Sequence, residues 1–153
     1  MVVITDGELD RYSRQILVSK LDLEGQVRLS QSSVSIIGCG GLGCLIALYL
    51  AGAGVGRIEL IDDDTVELSN LHRQIAFKGT DLGIPKAEAL ATNCRQLNDT
   101  IEIIASERRF GIDGVADHAS VTASDLIVDA SDSAVTRMVI ERLTRSLGKP
   151  RVM

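Results

Sequence analysis

Four glycines, Gly38, Gly40, Gly41 and Gly43, fall within six residues, and three carboxylates, Asp62, Asp63 and Asp64, follow about twenty residues on. Glycine at such spacing lets backbone approach a ligand without Cβ interference. A helix starting near Gly41 aims its free N–H groups and positive dipole end at the same place, which favours phosphate. Gly38-x-Gly40-x-x-Gly43 fits the dinucleotide fingerprint, and Asp62 sits where an acid accepts hydrogen bonds from ribose hydroxyls. The three acids together read either as a solvated loop or as a magnesium and ribose site, because acids near phosphate usually work through a metal.

Ser69, Asn70, Arg73 and Gln74 come next and place polar side chains around one helical turn. Asn70 and Arg73, three apart, share a face. Arg73 beside a nucleotide loop is a natural phosphate fork. Lys86 occupies the first turn of a helix, against the preference of the dipole, which suggests either an anionic partner or plain solvation. Asp132 follows the end of an apolar strand, the edge where ligands bind in parallel sheets, or else it only caps the next helix. Arg14 reads from spacing alone as a solvated helix-face charge. His72 reads as a surface histidine, and Cys39, within the glycine loop, as a small apolar filler.

The elements that must position these residues alternate. Val34 to Ile37 is a β-branched apolar run, followed by the glycine loop and an apolar helix to about Gly54. Ile58 to Ile61 is a second strand and Ile101 to Ala105 a third. Asp125 to Asp129 is a buried strand leading into a helix over Ala134 to Leu147. Pro85 suits the first position of a helix to Leu97, with Ala87, Leu90, Ala91, Cys94 and Leu97 as its apolar stripe. Thr5-x-x-Glu8 is a capping box opening a helix from Asp6 to Lys20, with Leu9, Tyr12 and Ile16 on one face and Arg11, Arg14 and Gln15 facing outward. Leu23 to Leu29 is a short helix interrupted by Gly25. Glu107 to Arg109 read as loop or edge, and Gly111 to Ser120 as a weak short helix. Arg151 to Met153 opens another strand, which predicts that the chain is a fragment. The pattern is an α/β, Rossmann-like fold: a mostly parallel sheet with helices on both faces, truncated after its nucleotide-binding half. The expected division is a helical arm over 1–32 and a Rossmann-like core over 33–153.

Composition narrows the function. At 153 residues, with 45% apolar and 24% charged, the chain is one domain with enough material for a core. Net charge −5 and 3% aromatics argue against nucleic-acid binding. No apolar run reaches membrane-spanning length, and the opening MVVITDGELDRYSRQ lacks the basic start and long apolar core of a signal peptide. Cys39, Cys44 and Cys94 lack CxxC spacing, which fits a reducing cytoplasm and supplies no zinc site.

The series Arg11-Tyr12-Ser13-Arg14-Gln15, GCGGLG over 38–43, IDDDTVELSNLHRQ over 61–74, Lys86 and DASDS over 129–133 resembles the HesA/MoeB/ThiF family, the bacterial relatives of ubiquitin-activating enzymes. The resemblance runs in order through nearly the whole chain. It implies ATP-dependent adenylation of the C-terminal glycine of a ubiquitin-like sulfur carrier of the molybdopterin or thiamin type, by a homodimer. It implies that the glycine loop and Asp62, with Asp64 and Ser69, hold the nucleotide. Asn70, Arg73 and Lys86 would engage phosphates with Gln74 nearby, Asp132 would hold Mg²⁺ beside Ser133, and Arg14 would cross into the partner's site. The family usually has Asn where this chain has Ser133. It also continues into a second half with two CxxC zinc pairs, and neither pair occurs in this sequence. The glycine loop and Asp62 alone would also suit an NAD- or FAD-dependent oxidoreductase. The short chain would also suit a non-catalytic module that holds a nucleotide or dimerises.

Overall fold

A computed structural model describes residues 4–111 and 119–153. Five strands, β1 (Ser33–Ile37), β2 (Arg57–Asp62), β3 (Glu102–Glu107), β4 (Leu126–Asp129) and β5 (Arg151–Val152), form one sheet in the order β3-β2-β1-β4-β5. Every pairing is parallel, with Ile37 level with both Ile61 and Asp129, and Asp62 level with Glu107. The order reverses between β1 and β4, so a crevice opens at the C-terminal ends of those strands. The fold class is the one the alternating pattern predicts.

Alternation along the strands sorts side chains between two cores. Val34, Ile36, Ile58, Leu60 and Val128 face helices α3 (Gly41–Ala53) and α4 (Lys86–Leu97). Ile37, Ile61 and Ile127 face the opposite way, toward α5 (Ala119–Ala123) and α6 (Ala134–Leu147), which contribute Val121 and Ile140. Small residues, Ala47 and Ala51 on α3 and Ala87 and Ala91 on α4, let these helices lie close to the sheet and to each other.

Helices α1 (Asp6–Ile16) and α2 (Asp22–Gln31) precede the sheet. The Thr5 capping box is present, with Glu8 bonding back to Thr5. Tyr12 is buried, and its hydroxyl accepts from Asn98 Nδ2. Gly54 (φ 82°) leaves room for that ring, because a Cβ there would lie 2.5 Å from it.

Several expectations are corrected. Helix α1 stops at Ile16, since Leu17 and Val18 meet no core and stay exposed. Gln15 does not face outward: its amide donates to Gln26 Oε1 and to the Ala53 carbonyl. Leu9 and Leu97 are both exposed, so Tyr12 carries α1's face and α4's stripe ends at Cys94. Gly25 does not interrupt α2 but sits buried within it against Leu21. Pro85 stands one residue before its helix. The weak helix expected over 111–120 falls largely on residues 112–118, outside the described residues, while α5 starts at Ala119.

Candidate active site

The glycine loop divides its labour. Gly38 takes φ 96°, and a Cβ there would lie 2.7 Å from the Ala130 carbonyl oxygen, so the loop packs directly on the segment after β4. At Gly43 a Cβ would lie 1.9 Å from the Gly38 carbonyl oxygen, so only glycine lets α3 seat against the strand end. Gly40 differs: its backbone is ordinary, and a Cβ would meet no atom within 4 Å. No side chain caps α3, which leaves the first-turn N–H groups to the cavity that Gly40, Gly41 and Leu42 line. Gly43 lies behind that wall rather than in it.

The cavity measures about 700 Å³, in the range of small-ligand sites. Asp62 forms one side. Its Oδ2 accepts the Cys39 N–H at 2.6 Å and its Oδ1 the Asp64 N–H at 2.8 Å, tying the end of β2 to the glycine loop. Burial pushes the Asp62 carboxyl up from its ordinary value, against the pull of those N–H bonds and of Lys86.

Lys86 opens α4 and is 7% exposed. A backbone bridge between Thr65 and Pro85 holds it beside the acids. Its Nζ lies 2.7 Å from Asp64 Oδ2, so the anionic partner its position suggested is in part within the chain. Burial pulls Lys86 down, but the Asp64 bond and the charges of Asp62 and Glu67 outweigh it and hold the ammonium above its ordinary value.

The polar turn after β2 supplies the opposite wall. Leu68–Asn70 is a short 3₁₀ turn in which Asn70 Oδ1 accepts the Glu67 N–H at 3.1 Å. That bond leaves the Asn70 amide N–H pair as donors. Arg73 lines the cavity and is exposed, and Gln74 lines it while only 2% exposed. Gln74 Oε1 is buried without a hydrogen-bond partner. Ser69 is exposed, bonds to Glu67 and does not line the cavity.

Asp132 and Ser133 close the far side. Ser133, not Asp132, caps α6: its Oγ accepts the Thr136 N–H. The capping alternative for Asp132 therefore fails, and its carboxylate stands exposed at the cavity. Arg14 does not line this cavity. Its neighbour Gln15 is bonded to Ala53 at the C-terminal end of α3, and the 13 residues of that helix span about 20 Å from there to the glycine loop.

The residues fit a nucleoside triphosphate with a hard cation. Gly40 lines the cavity with open space where a Cβ would stand, and the orphaned Gln74 Oε1 awaits a donor. Asp132 offers oxygen of the type Mg²⁺ takes. The carboxylates of Asp62, Asp63 and Asp64 also lie within 4.8 Å of one another, but Asp62 and Asp64 already spend oxygens on Cys39 and Lys86.

Cys39, Cys44 and Cys94 are all buried. Burial pushes Cys39 well up, Cys44 to about 12 and Cys94 to about 11, so none is poised as a thiolate nucleophile. Sequence reasoning missed Arg108, Arg109 and Phe110, which also line the cavity. The available signal was their place just past a strand's C-terminal end. What the sequence lacked was the register that sets Glu107 level with Asp62. No described helix is long and apolar enough to cross a membrane.

The ThiF family model matches residues 12–153. The chain is 41% identical to the adenylyltransferase and sulfurtransferase MOCS3 of Aedes aegypti, over 97% of this chain and 34% of that protein. It is 42% identical to the sulfur carrier protein ThiS adenylyltransferase of Escherichia coli, over 97% of this chain and 59% of that protein. Among solved structures, E. coli tRNA N6-threonylcarbamoyladenosine dehydratase, TcdA, in complex with ATP superposes with a TM-score of 0.87 at 29% identity, covering 98% of this chain and 60% of that one. The chain thus spans about a third to under two thirds of the relatives it matches.

Proposed function

The chain belongs to the ThiF family, and from that premise we propose that it is the ATP-binding part of an enzyme that adenylates the C-terminal glycine carboxylate of a ubiquitin-like sulfur carrier. The molybdopterin and thiamin carriers are the two candidate types, and a cytoplasmic setting goes with either. The observation that carries the reading is the cavity itself, where a helix N-terminus that no side chain caps, Arg73 and Lys86 line one space with Gly40. On this reading the chain divides into an N-terminal arm over 1–32 and an ATP-binding core over 33–153.

ATP is a substrate. Asp62 takes the ribose, with Asp64 beside it. The N–H groups of the glycine loop and α3, the Asn70 amide, Arg73 and Lys86 take the phosphates, and Gln74 Oε1 accepts from the bound substrate. Asp132 would hold Mg²⁺, which would supply Lewis-acid screening of the phosphate charge. The carrier carboxylate is already ionised, so no general base is required. Its oxygen forms a bond to the α-phosphorus as the bond to the pyrophosphate oxygen breaks, and the electron pair leaves with pyrophosphate. Both reactants are anions, so this chain contributes fixed cations and donors, and catalysis is positioning plus electrostatics.

Arg14 acts in trans within a homodimer. Its absence from its own cavity, next to a residue bonded at the far end of α3 from the glycine loop, supports this, as does the exposed apolar stripe Leu42, Leu45 and Tyr49 along α3, which suits self-association. An arginine supplied this way is worth about 10³ to 10⁵ in rate by analogy with other phosphoryl transfer, or roughly 4 to 7 kcal/mol.

The test is ATP–pyrophosphate exchange with Mg²⁺ and candidate carriers. Arg73→Ala should abolish exchange with thermal unfolding unchanged, because Arg73 is exposed and buries nothing. Near-normal exchange by both Arg73→Ala and Arg14→Ala would sink the assignment.

A further inference from the structure

An acidic side chain lies deep in the sheet. Glu59, in the middle of β2, is 2% exposed. Its Oε1 accepts from Ser120 Oγ at 2.8 Å and Ser106 Oγ at 3.1 Å, and lies 3.5 Å from Arg108 Nη2. Its Oε2 accepts from Ser35 Oγ. A buried ion pair of this kind stabilises no more than a well-packed apolar group of similar volume would. Three serines and an arginine are nevertheless committed to it.

What distinguishes the cluster is where it leads. Arg108 carries the pair to the wall of the cavity. Its backbone N–H bonds to the Ser106 carbonyl, so the chain turns at once after β3. Phe110, two residues on, is anchored in the core beneath with Ile61 and Ile127, yet also lines the cavity. The sheet order fixes which part of a nucleotide meets this wall. Phosphates belong after β1, at the glycine loop, and the ribose belongs after β2, at Asp62. The base therefore extends one strand further, past the end of β3, where Arg108 and Phe110 stand. An arginine whose head is fixed presents a stiff flank to a planar ring, at little further entropic cost.

We propose that Glu59 is a positioning residue of this site: through Arg108 it holds the wall against which the purine base of the bound nucleotide lies. The inference rests on the nucleotide reading above but assigns a role to residues that reading leaves unused. It makes base recognition, not phosphate binding, depend on a carboxylate in the middle of the sheet.

The experiment is calorimetric titration of the purified chain with ATP and, separately, with inorganic tripolyphosphate. The variants are Glu59→Gln, Arg108→Met and the double variant. The expected result is that each single variant weakens ATP roughly tenfold and leaves tripolyphosphate unchanged. The double variant should be no weaker than either single one, because both act through one wall. A merely structural network would weaken both ligands together, or neither, and that result overturns the proposal. If Glu59→Gln does not fold, Glu59→Asp, which keeps the carboxylate but draws it back from Arg108, takes its place with the same expected result. Wild-type protein that binds tripolyphosphate but not ATP overturns the inference alone. Protein that binds neither overturns the nucleotide reading as well.

Discussion

Gly40 and Gly43 share one motif, but the structure assigns them opposite sensitivities. At Gly43 an added methyl lies 1.9 Å from the Gly38 carbonyl oxygen, and that oxygen belongs to a loop itself pressed on Ala130. Neither side can yield without moving α3 off the strand end. Gly43→Ala should therefore cost about 3 kcal/mol, the upper end for overpacking, and lower Tm by roughly 10 °C for a chain of this size. At Gly40 the methyl meets nothing within 4 Å, and φ is −79°. Losing a glycine cap costs a few tenths to about 1 kcal/mol, while stiffening the unfolded chain returns about 0.4 to 1 kcal/mol. The two nearly cancel, so Gly40→Ala should melt within about 3 °C of wild type. Its methyl nevertheless occupies the space assigned to phosphate, so ATP should no longer raise Tm. Differential scanning fluorimetry with and without ATP reads both quantities. Equal destabilisation by the two variants, or a full ATP shift in Gly40→Ala, would refute the division of roles.

Mixing Arg14→Ala subunits with Lys86→Ala subunits should restore pyrophosphate exchange at one site per mixed dimer, since the intact Arg14 of one subunit then reaches the site that holds the other subunit's intact Lys86; no recovery would place Arg14 outside the trans role. The three cysteines should resist iodoacetamide at pH 8 in the native protein and react promptly in denaturant; alkylation of the native chain would contradict their burial. Cys44 and Cys94 rise to about 12 and about 11 from an ordinary 9.0. The unfolded chain thus releases these protons first: their contribution to stability is whole below about pH 9 and is lost as pH climbs through 11 to 12. Lys86 adds loss in the same direction, above its ordinary 10.5. Denaturant unfolding of Cys94→Ala should show a shallower alkaline decline than wild type, and an unchanged slope would count against the shift. Ser133→Ala should destabilise by about 1 kcal/mol through loss of the α6 cap, and Ser133→Asn should not, because asparagine caps equally well.

Where local chemistry decides conformation, the sequence was legible nearly to the residue. Helix α6 runs over Ala134–Leu147 as the sequence indicates, and Gly148 takes the left-handed φ of 61° that its C-terminal cap needs. The strands differ from expectation by a residue or two, because apolar runs sandwiched between two helical layers have few alternatives. Legibility failed where position depends on a distant partner. Gln15 turns inward because Gln26 and Ala53 wait there. Leu97 faces outward because α4 ends beyond the core. Asp132 and Ser133 are both good capping residues, and only the fold distinguishes the one that caps from the one left at the cavity. In the site, the contiguous motifs carried Gly38, Gly40, Gly41, Asp62, Asn70, Arg73, Gln74 and Lys86 to one cavity. Arg108 and Phe110 escaped because strand register places them, and register is not written in any single stretch of chain.

The central claim is that a carrier carboxylate attacks the α-phosphorus of ATP at this cavity. Mass spectrometry of a ubiquitin-like carrier after incubation with the protein, ATP and Mg²⁺ tests it most directly. The account predicts a carrier heavier by one adenylyl group, lost when the carrier's C-terminal carboxylate is replaced by an amide and lost with Arg73→Ala. Adenylation that persists on the amidated carrier, or ATP consumed with no carrier ever modified, would contradict it.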